Sequence, residues 1–270
     1  MELRFSPLFS GSSGNATYVG CDDAHILVDA GLSGSRVTQE LARAGVDPSI
    51  LNAILVTHEH SDHIKGIGIL SRKYNLPVYA TEGTWQAMYN KIGTIADKNI
   101  RVIEPGQDFF IGSIDVTPFP TPHDAAQPVG YVFETGGAKL AVATDLGCVR
   151  DSWLKYVIGA DAVLLESNFD PGMLQTGPYP YDLKKRIMGR HGHLSNDDAG
   201  EVAAELVRAG ARQIILGHLS KENNYPELAL KCTELALRQA GLYPQEDATI
   251  LVASRDGCTG MFSVSVGIQY

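Results

Sequence analysis

The fold of this chain is decided by eight residues, Val56-Thr57-His58-Glu59-His60-Ser61-Asp62-His63. They follow the apolar run Ala53-Ile54-Leu55-Val56 and place three histidines and an aspartate in the frame H-x-H-x-D-H. Only 8 of the 270 residues are histidines, so this local density indicates a metal site at the end of a strand rather than a His-rich solvated loop. Imidazole and carboxylate ligands together suit zinc, manganese or iron, whereas magnesium and calcium prefer oxygen ligands.

Length and composition are those of a globular protein with a substantial core. The 270 residues, 44% of them hydrophobic and 20% charged, fit one large domain or two closely joined halves. No segment approaches the roughly 20 apolar residues of a membrane span, and the N-terminus lacks the pattern of a signal peptide. The four cysteines are scattered without a C-x-x-C pair, which indicates reduced thiols. We therefore expect a cytoplasmic protein with no membrane partner.

The net charge of −9 bears on the substrate. It argues against an extended basic face that follows long duplexes. It leaves room for a nucleic-acid end in a metal-lined cleft, because bound divalent ions change the local sign of the charge. The charge alone favours small or locally bound substrates.

The alternation of strands and helices occurs twice along the chain. The first half contains the histidine stretch and a helix from about Ile64 to Tyr74, and residues 100–142 follow as short strands broken by Gly and Pro. The strand–helix alternation returns after Asp145, with a Pro/Gly-rich connection over 170–180 and a capping box formed by Ser195 and Asp198. This pattern predicts one α/β domain over residues 1–270, with halves of about 1–110 and 111–270, in which two mixed sheets pack together with helices outside.

The histidine stretch alone offers too few ligands for two metal ions. His58 and His60 are two residues apart and project to the same side of an extended loop. Asp62 and His63 begin the following helix and point differently, which suits a second metal beside the first. Further ligands are expected at strand ends, because sites in layered α/β folds form there.

Three isolated polar residues follow apolar strands and are candidates for these ligands. His123 comes after the strand ending at Phe119, Asp145 after a strand over 140–143, and His218 after a strand over 214–216. Taken singly, each is better explained as a hydrogen-bonded turn residue. Their shared placement, together with H-x-H-x-D-H, favours metal binding.

In this order the motifs resemble those of the metallo-β-lactamase fold superfamily, over essentially the whole chain. The resemblance implies an αββα four-layer sandwich of two mixed β-sheets flanked by helices. It also implies two divalent metal ions, zinc or manganese with iron also compatible. One ion would be held by His58, His60 and His123, and the other by Asp62, His63 and His218, with Asp145 bridging. Asp29, in Val28-Asp29-Ala30-Gly31, would support the ligand loop.

The fold does not determine the substrate, but three further segments resemble the phosphodiesterase branch that includes ribonuclease Z. His123 is followed by Gly130-Tyr131 rather than standing in the G-H-T-x-G pattern of lactamase- and glyoxalase-like members. Glu166 and His193 match a pair that donates a proton in that branch, with Leu194 where a small hydroxyl residue is usual. The closest overall likeness is to the WalJ/YycJ type of small metallohydrolase, several of which are associated with 5′-to-3′ exonuclease activity.

These resemblances predict a dinuclear metal-dependent phosphodiesterase, a 5′-to-3′ exonuclease on DNA. A metal-bridging hydroxide would attack phosphorus, Asp62 would orient it, and His193 held by Glu166 would give a proton to the leaving alkoxide. The partners would be nucleic-acid ends, with DNA favoured, or a small phosphodiester, and a homodimer is compatible with the sequence. Two alternatives stay open: a small-molecule hydrolase acting on a cyclic phosphate or thioester, and a metal-binding regulatory protein without turnover. His193 could also be a helix-entry residue without a chemical role.

Two segments are candidates for binding substrate phosphates. The basic run that leads into His193 offers Lys184, Arg186 and Arg190, although a solvated helix face explains this run equally well. Ser12, Ser13 and Asn15 lie in a Gly-rich turn whose polar groups suit a phosphate. A turn that simply needs glycine conformations is the alternative there.

Overall fold

The computed structural model describes residues 2–264 and confirms the αββα sandwich. Met1 and residues 265–270, which belong to the predicted domain over 1–270, lie outside the described residues. Two seven-stranded mixed sheets face each other, and helices cover their outer surfaces. Within residues 2–264 no helix is both long and apolar enough to cross a membrane.

The first sheet has the strand order β14-β1-β2-β3-β4-β5-β6. Its strands are β1 (Leu3–Phe9), β2 (Ala16–Gly20), β3 (His25–Val28), β4 (Ala53–Leu55), β5 (Val78–Thr81), β6 (Ile100–Ile103) and β14 (Phe262–Val264). The helices that accompany it are α1 (Gly34–Arg43), α2 (Ser61–Ile64), α3 (Ile67–Tyr74) and α4 (Glu82–Met88).

The second sheet has the order β13-β12-β11-β10-β9-β8-β7. Its strands are β7 (Phe109–Ile111), β8 (Ile114–Pro120), β9 (Val129–Thr135), β10 (Ala138–Ala143), β11 (Ala162–Glu166), β12 (Gln213–Gly217) and β13 (Thr249–Val252). The helices of this half are α5 (Asp151–Val157), α6 (Pro171–Thr176), α7 (Tyr181–Ile187), α8 (Asn196–Arg208) and α9 (Pro226–Gln239).

Both sheets change from antiparallel to parallel pairing at the equivalent strand. Strands β1 to β3 pair antiparallel and β3 to β6 parallel. Strands β8 to β10 likewise pair antiparallel and β10 to β13 parallel. Because parallel neighbours end at the same edge of a sheet, the residues that follow β3, β4, β10, β11 and β12 are candidates to meet there.

Three apolar clusters fill the three interfaces between the four layers. The middle cluster lies between the sheets and contains Phe5, Leu55, Tyr131 and Phe133. One outer cluster packs α1, α3 and α4 on the first sheet, and the other packs α5, α8 and α9 on the second. The Tyr131 hydroxyl also donates to the carbonyl oxygen of Val56 at 2.7 Å, which ties the second sheet to the start of the histidine stretch.

The helix predicted over 64–74 is two helices, because the chain breaks at Lys65-Gly66. The amide of Gly66 donates to the Ala30 carbonyl at 2.7 Å. A Cβ at Gly66 would lie 2.5 Å from the Leu32 carbonyl oxygen. The close approach of the loop after β3 therefore replaces a helical turn at this point.

The connection predicted over 170–180 contains the helix α6. Asp170 caps it by accepting a hydrogen bond from the Met173 amide at 2.7 Å, and Pro171 occupies the first turn. Proline is favourable at that position because its missing N–H has no partner there in any helix. The edge strands β7 and β14, of three residues each, are not predicted from the sequence. The capping box of Ser195 and Asp198 is confirmed.

Phe133 tests the packing between the sheets. It is fully buried, whereas Phe110 in the same sheet is 68% exposed. We expect Phe133→Ala to lower the free energy of unfolding by about 3–5 kcal/mol, because the cavity it leaves cannot close. Phe110→Ala should change it by no more than about 0.5 kcal/mol. Denaturant unfolding of the two variants compares them, and equal losses would contradict the layer assignment.

Candidate metal centre

The structure brings all seven predicted metal ligands into one cluster. His58, His60 and His123 form one group, and Asp62, His63 and His218 another, with the candidate ligand atoms of each group within 4.8 Å of one another. Asp145 lies between the groups. Its Oδ1 is 3.6 Å from Nε2 of both His123 and His218, and its Oδ2 is 3.5 Å from His63 Nε2. The arrangement could hold two ions that share this carboxylate.

Four of the imidazoles are oriented by a polar partner at Nδ1. These contacts are His58 with Thr57 Oγ1 at 3.0 Å, His63 with Asp29 Oδ2 at 2.7 Å, His123 with the Gly192 carbonyl at 3.0 Å, and His218 with Glu166 Oε1 at 2.8 Å. Such contacts fix the ring orientation and leave Nε2 as the ligand atom. His60 differs, because its Nδ1 lies 3.3 Å from His123 Nε2 and so faces the cluster itself.

The buried atoms at the centre of the cluster fit a cation. His58 Nε2, His218 Nε2 and Asp145 Oδ2 are buried and have no hydrogen-bond partner within the described part of the chain. Buried polar atoms almost always find a partner, so an unpaired group of ring nitrogens and carboxylate oxygen requires an explanation. Nitrogen and oxygen donors converging in this way are the ligands of zinc, manganese and iron sites.

The charges of the cluster also favour a cation. Burial opposes ionisation of Asp62 and Asp145, but neighbouring imidazoles hold the pKa of each carboxyl below its usual value. Burial likewise opposes protonation of His218, but Asp145, Asp62 and Glu166 raise its pKa to about 10. The field that draws protons to such a ring will also attract a divalent ion, which displaces them on binding.

Asp29 holds the histidine stretch in place. Its Oδ1 accepts from the Thr57 amide at 2.9 Å, and its Oδ2 accepts from the Thr57 hydroxyl at 2.8 Å and contacts His63 Nδ1. Next to it, Gly31 has no room for a side chain, because a Cβ there would lie 1.6 Å from the Asp62 carbonyl oxygen. The loop after β3 therefore supports the ligand loop directly.

Three residues of the centre adopt left-handed backbone conformations. Asp29, Asp145 and His218 have φ values of 59°, 60° and 56°, and each follows the end of a strand. Such conformations are uncommon outside glycine and are found where surrounding structure enforces them, often at functional sites. Here they turn the chain sharply at the sheet edge where the ligands meet.

Glu166 contacts both His193 and His218. Its Oε1 is 2.8 Å from Nδ1 of each ring, and its Oε2 accepts from the amides of Leu146 and Leu194 at 2.7 and 3.1 Å. Burial would raise the pKa of Glu166, but the His193 and His218 rings lower it to about 2. Leu194 contributes its amide here while its side chain is buried in the apolar cluster.

Two cavities adjoin the ligand cluster, and Ser12 lines both. The larger, about 700 Å³, is lined by His60, Asp62, Ser13 and the lysines Lys65 and Lys91. The smaller, about 160 Å³, is lined by His193 and Arg186. Ser12, Ser13 and Arg186 thus lie beside the cleft, and their role as substrate contacts stays a prediction. Arg186 is also paired with Asp124 through hydrogen bonds of 2.5 and 3.1 Å.

Two other predicted phosphate contacts have hydrogen-bond partners within the chain. Asn15 is buried, accepts from the Gly11 amide at 3.1 Å and contacts His63 Nε2 at 3.0 Å through Nδ2, so it supports the ligand loop. Lys184 Nζ donates to the carbonyls of Gln175 and Gly177 at 2.8 and 2.7 Å, so it fastens the end of α6. Arg190 is exposed beyond α7 and lines neither cavity.

Three supporting residues were missed from the sequence. Thr57 links Asp29 to His58, Asn168 Nδ2 donates to the His218 carbonyl at 2.7 Å, and Ser10 Oγ accepts from the His218 amide at 2.9 Å. Thr57 lies within the histidine stretch and Asn168 two residues after Glu166, and that proximity is a usable signal. Ser10 lies far from His218 in the sequence and carries no such signal.

Comparison with known proteins agrees with this site. A model of the β-lactamase superfamily domain matches residues 24–219, a span that contains all seven predicted ligands. The chain belongs to the β-lactamase superfamily. As a member it is a metal-dependent hydrolase, so the alternative of a regulatory protein without turnover is not retained.

Two relatives match over most of their length. The protein of Bacillus anthracis named exodeoxyribonuclease YycJ is 44% identical over 241 residues, which cover 89% of this chain and 91% of that protein. The protein of Streptococcus pneumoniae named exodeoxyribonuclease WalJ is 41% identical over 264 residues, 97% of this chain and 98% of that one. The resemblance read from the sequence is confirmed.

Among solved structures, the metallo-β-lactamase fold protein YhfI from Bacillus subtilis superposes with a TM-score of 0.71. It shares 18% identity, and the match covers 97% of this chain and 100% of YhfI. This likeness supports the fold.

Asp29→Asn tests how the ligand loop is supported. Asparagine keeps the size and tolerates the left-handed backbone, but it replaces one carboxylate oxygen facing Thr57 and His63 by an NH₂ group. We expect metal affinity to fall by about 10–100-fold, as for other residues that orient metal ligands. Titration with zinc or manganese measures this. Asp47→Asn, a surface cap that accepts from the Ser49 amide, is the control and should keep wild-type affinity; equal losses in both variants would contradict the role of Asp29.

Proposed function

We propose that this chain is a dinuclear metal-dependent 5′-to-3′ exodeoxyribonuclease. The observation that carries the proposal is the position of His193, held by Glu166 at the wall of the cleft beside the ligand cluster. An imidazole held by a carboxylate can donate a proton to the leaving group. The alkoxide that departs from a phosphodiester needs such a proton, because it is a poor leaving group. The two relatives that span nearly the whole chain, both named exodeoxyribonucleases, support DNA as the substrate.

Seven residues would hold the metal ions, which we propose to be zinc or manganese. His58, His60 and His123 would bind one, Asp62, His63 and His218 the other, and Asp145 both. Bound there, divalent ions supply positive charge for the phosphate oxygens and lower the pKa of water toward neutrality. Asp62 is 24% exposed and lines the larger cavity, so one of its oxygens can orient the attacking water.

His193 would serve the leaving group. Its Nδ1 is engaged by Glu166, and its side chain is 19% exposed, so Nε2 is available to the substrate. A proton passed from Nε2 to the departing 3′-oxygen leaves a free 3′-hydroxyl on one product and a 5′-phosphate on the other. Transfer from a positioned imidazole typically contributes about 10²–10⁴-fold to such a reaction.

The free thiols of the four cysteines are consistent with a cytoplasmic location.

The direct test is digestion of DNA and RNA, single- and double-stranded, labelled at the 5′ or the 3′ end. With metal-loaded protein we expect a 5′ label on DNA to appear at once as mononucleotide, while a 3′ label remains in gradually shortening strands. His60→Ala, which removes a ligand, should lose both activity and bound metal. Release of the 3′ label first would reverse the polarity. Turnover of a small diester without DNA digestion would instead favour the small-molecule hydrolase.

The second test concerns the role of His193. His193→Ala should lower kcat on DNA by about 10²–10⁴-fold while bound metal stays at the wild-type level. The loss should shrink strongly on a p-nitrophenyl phosphodiester, because nitrophenolate departs without a proton. Steady-state kinetics on both substrates measures the difference. The same loss on both would show that His193 positions groups rather than donating a proton.

A further inference from the structure

The smaller cavity extends from His193 to the segment that begins α7, and we call it the terminal pocket. Its side walls are formed by Tyr179, Leu183, Ile187, Asn168 and Ser220. We propose that the terminal pocket receives the nucleoside at the 5′ end of the strand, the one released in each cycle, and binds its base without selecting its identity. This inference rests on the proposed function, which it extends from the reaction to recognition of the substrate.

The position of His193 decides which side of the scissile bond enters this pocket. In the proposed reaction the oxygen of water bonds to phosphorus and the P–O3′ bond breaks. The departing 3′-oxygen takes a proton from His193 Nε2. The ring is then protonated again by a proton from water. The departing group must therefore lie on the His193 side. In a 5′-to-3′ enzyme that group is the terminal nucleotide, and His193 lines the terminal pocket.

The sizes of the two cavities agree with this assignment. The terminal pocket has about 160 Å³ and the larger cavity about 700 Å³. The larger one also carries Lys65 and Lys91, whose charge suits the phosphates of a continuing strand. The smaller cavity is the one expected to hold a single residue, and the larger has room for the rest of the strand with its new 5′-phosphate.

The wall of the terminal pocket is fixed before substrate arrives. Tyr179 lies between Pro178 and Pro180, which restrict the backbone on both sides. Lys184 holds α7 against the end of α6 through the carbonyls of Gln175 and Gly177. A pre-formed wall reduces the entropy lost on binding, and the contacts of Lys184 contribute to it.

The chemistry of the walls favours stacking over base reading. Tyr179, Leu183 and Ile187 offer an aromatic ring and aliphatic surface. Several polar side chains of the pocket already have partners: Asn168 Nδ2 donates to the His218 carbonyl, Ser220 Oγ accepts from the Asn223 amide, and Arg186 is paired with Asp124. Every base has an apolar face, so contacts of this kind tolerate all four.

The test uses 5′-phosphorylated single-stranded DNA whose first residue is either a normal nucleotide or an abasic tetrahydrofuran. We expect kcat/KM of the wild-type protein to be about tenfold or more lower for the abasic terminus than for the normal one, since a stacked base is worth about 1–3 kcal/mol. The same abasic residue at the third position, outside the pocket, should have little effect on the first release. Normal termini with each of the four bases should be released at similar rates.

A variant links the effect to Tyr179. Tyr179→Ala should slow release of the normal terminus by about the same factor, and the two changes should not multiply when combined. Tyr181→Ala is the control, because Tyr181 is 77% exposed in the adjoining helix and does not line the pocket. This variant should show the wild-type ratio of kcat/KM between normal and abasic termini.

Equal wild-type rates on normal and abasic termini would overturn the terminal pocket, and that comparison does not depend on any variant folding. If the effects of the abasic terminus and of Tyr179→Ala multiplied fully, Tyr179 would not contact the base, and the proposal as stated would be overturned. If wild-type protein released nothing from any DNA, the proposed function would fail first. That result differs from equal turnover of the two termini.

Discussion

The centre depends on burying carboxylates and imidazoles together at one edge of the sandwich. Asp29, Asp145 and Glu166 are almost fully buried, and a carboxylate taken out of water without a partner is too costly to remain ionised. Each instead has imidazoles or backbone amides within contact distance. The imidazoles keep the pKa of Glu166 and Asp145 low despite burial. The strand ends must therefore stay in register, since displacing one group leaves another buried without compensation.

The repeated topology explains how one fold provides both support and ligand. Asp29 follows β3 and Asp145 follows β10, the strands at which pairing changes from antiparallel to parallel in each sheet, and both have a left-handed backbone. In the first half the carboxylate is saturated by Thr57 and His63. In the second half one oxygen has no hydrogen-bond partner among the described residues and faces the imidazoles. The same left-handed turn thus carries Asp29, which positions the candidate ligand His63, in the first half. In the second half it carries Asp145, which is itself a candidate ligand.

Much of the fold and the cluster could be predicted because the signals were local. H-x-H-x-D-H is contiguous, and His123, Asp145 and His218 each follow a recognisable apolar strand. The helix α6 is not predicted because Pro171 indicates a loop in the sequence, although proline also begins helices. The partner of Lys184 could not be read, since a basic run on a short helix does not reveal which carbonyls lie within its reach. The terminal pocket combines residues from Ser12 to Ser220, and no sequence pattern relates them.

The basic run has a consequence for how an acidic protein would hold DNA. Lys184 is bound to carbonyls and Arg186 to Asp124, so two of the three cations predicted to bind phosphates already have partners within the chain. The net charge of −9 argues against an extended basic face that follows a duplex. On the proposed function, affinity would come from the metal-bound phosphate and the terminal base rather than from many phosphate contacts. Few released counterions mean a weak dependence on salt, and an enzyme that binds mainly at the terminal residue begins at an end because the middle of a strand cannot fill the terminal pocket.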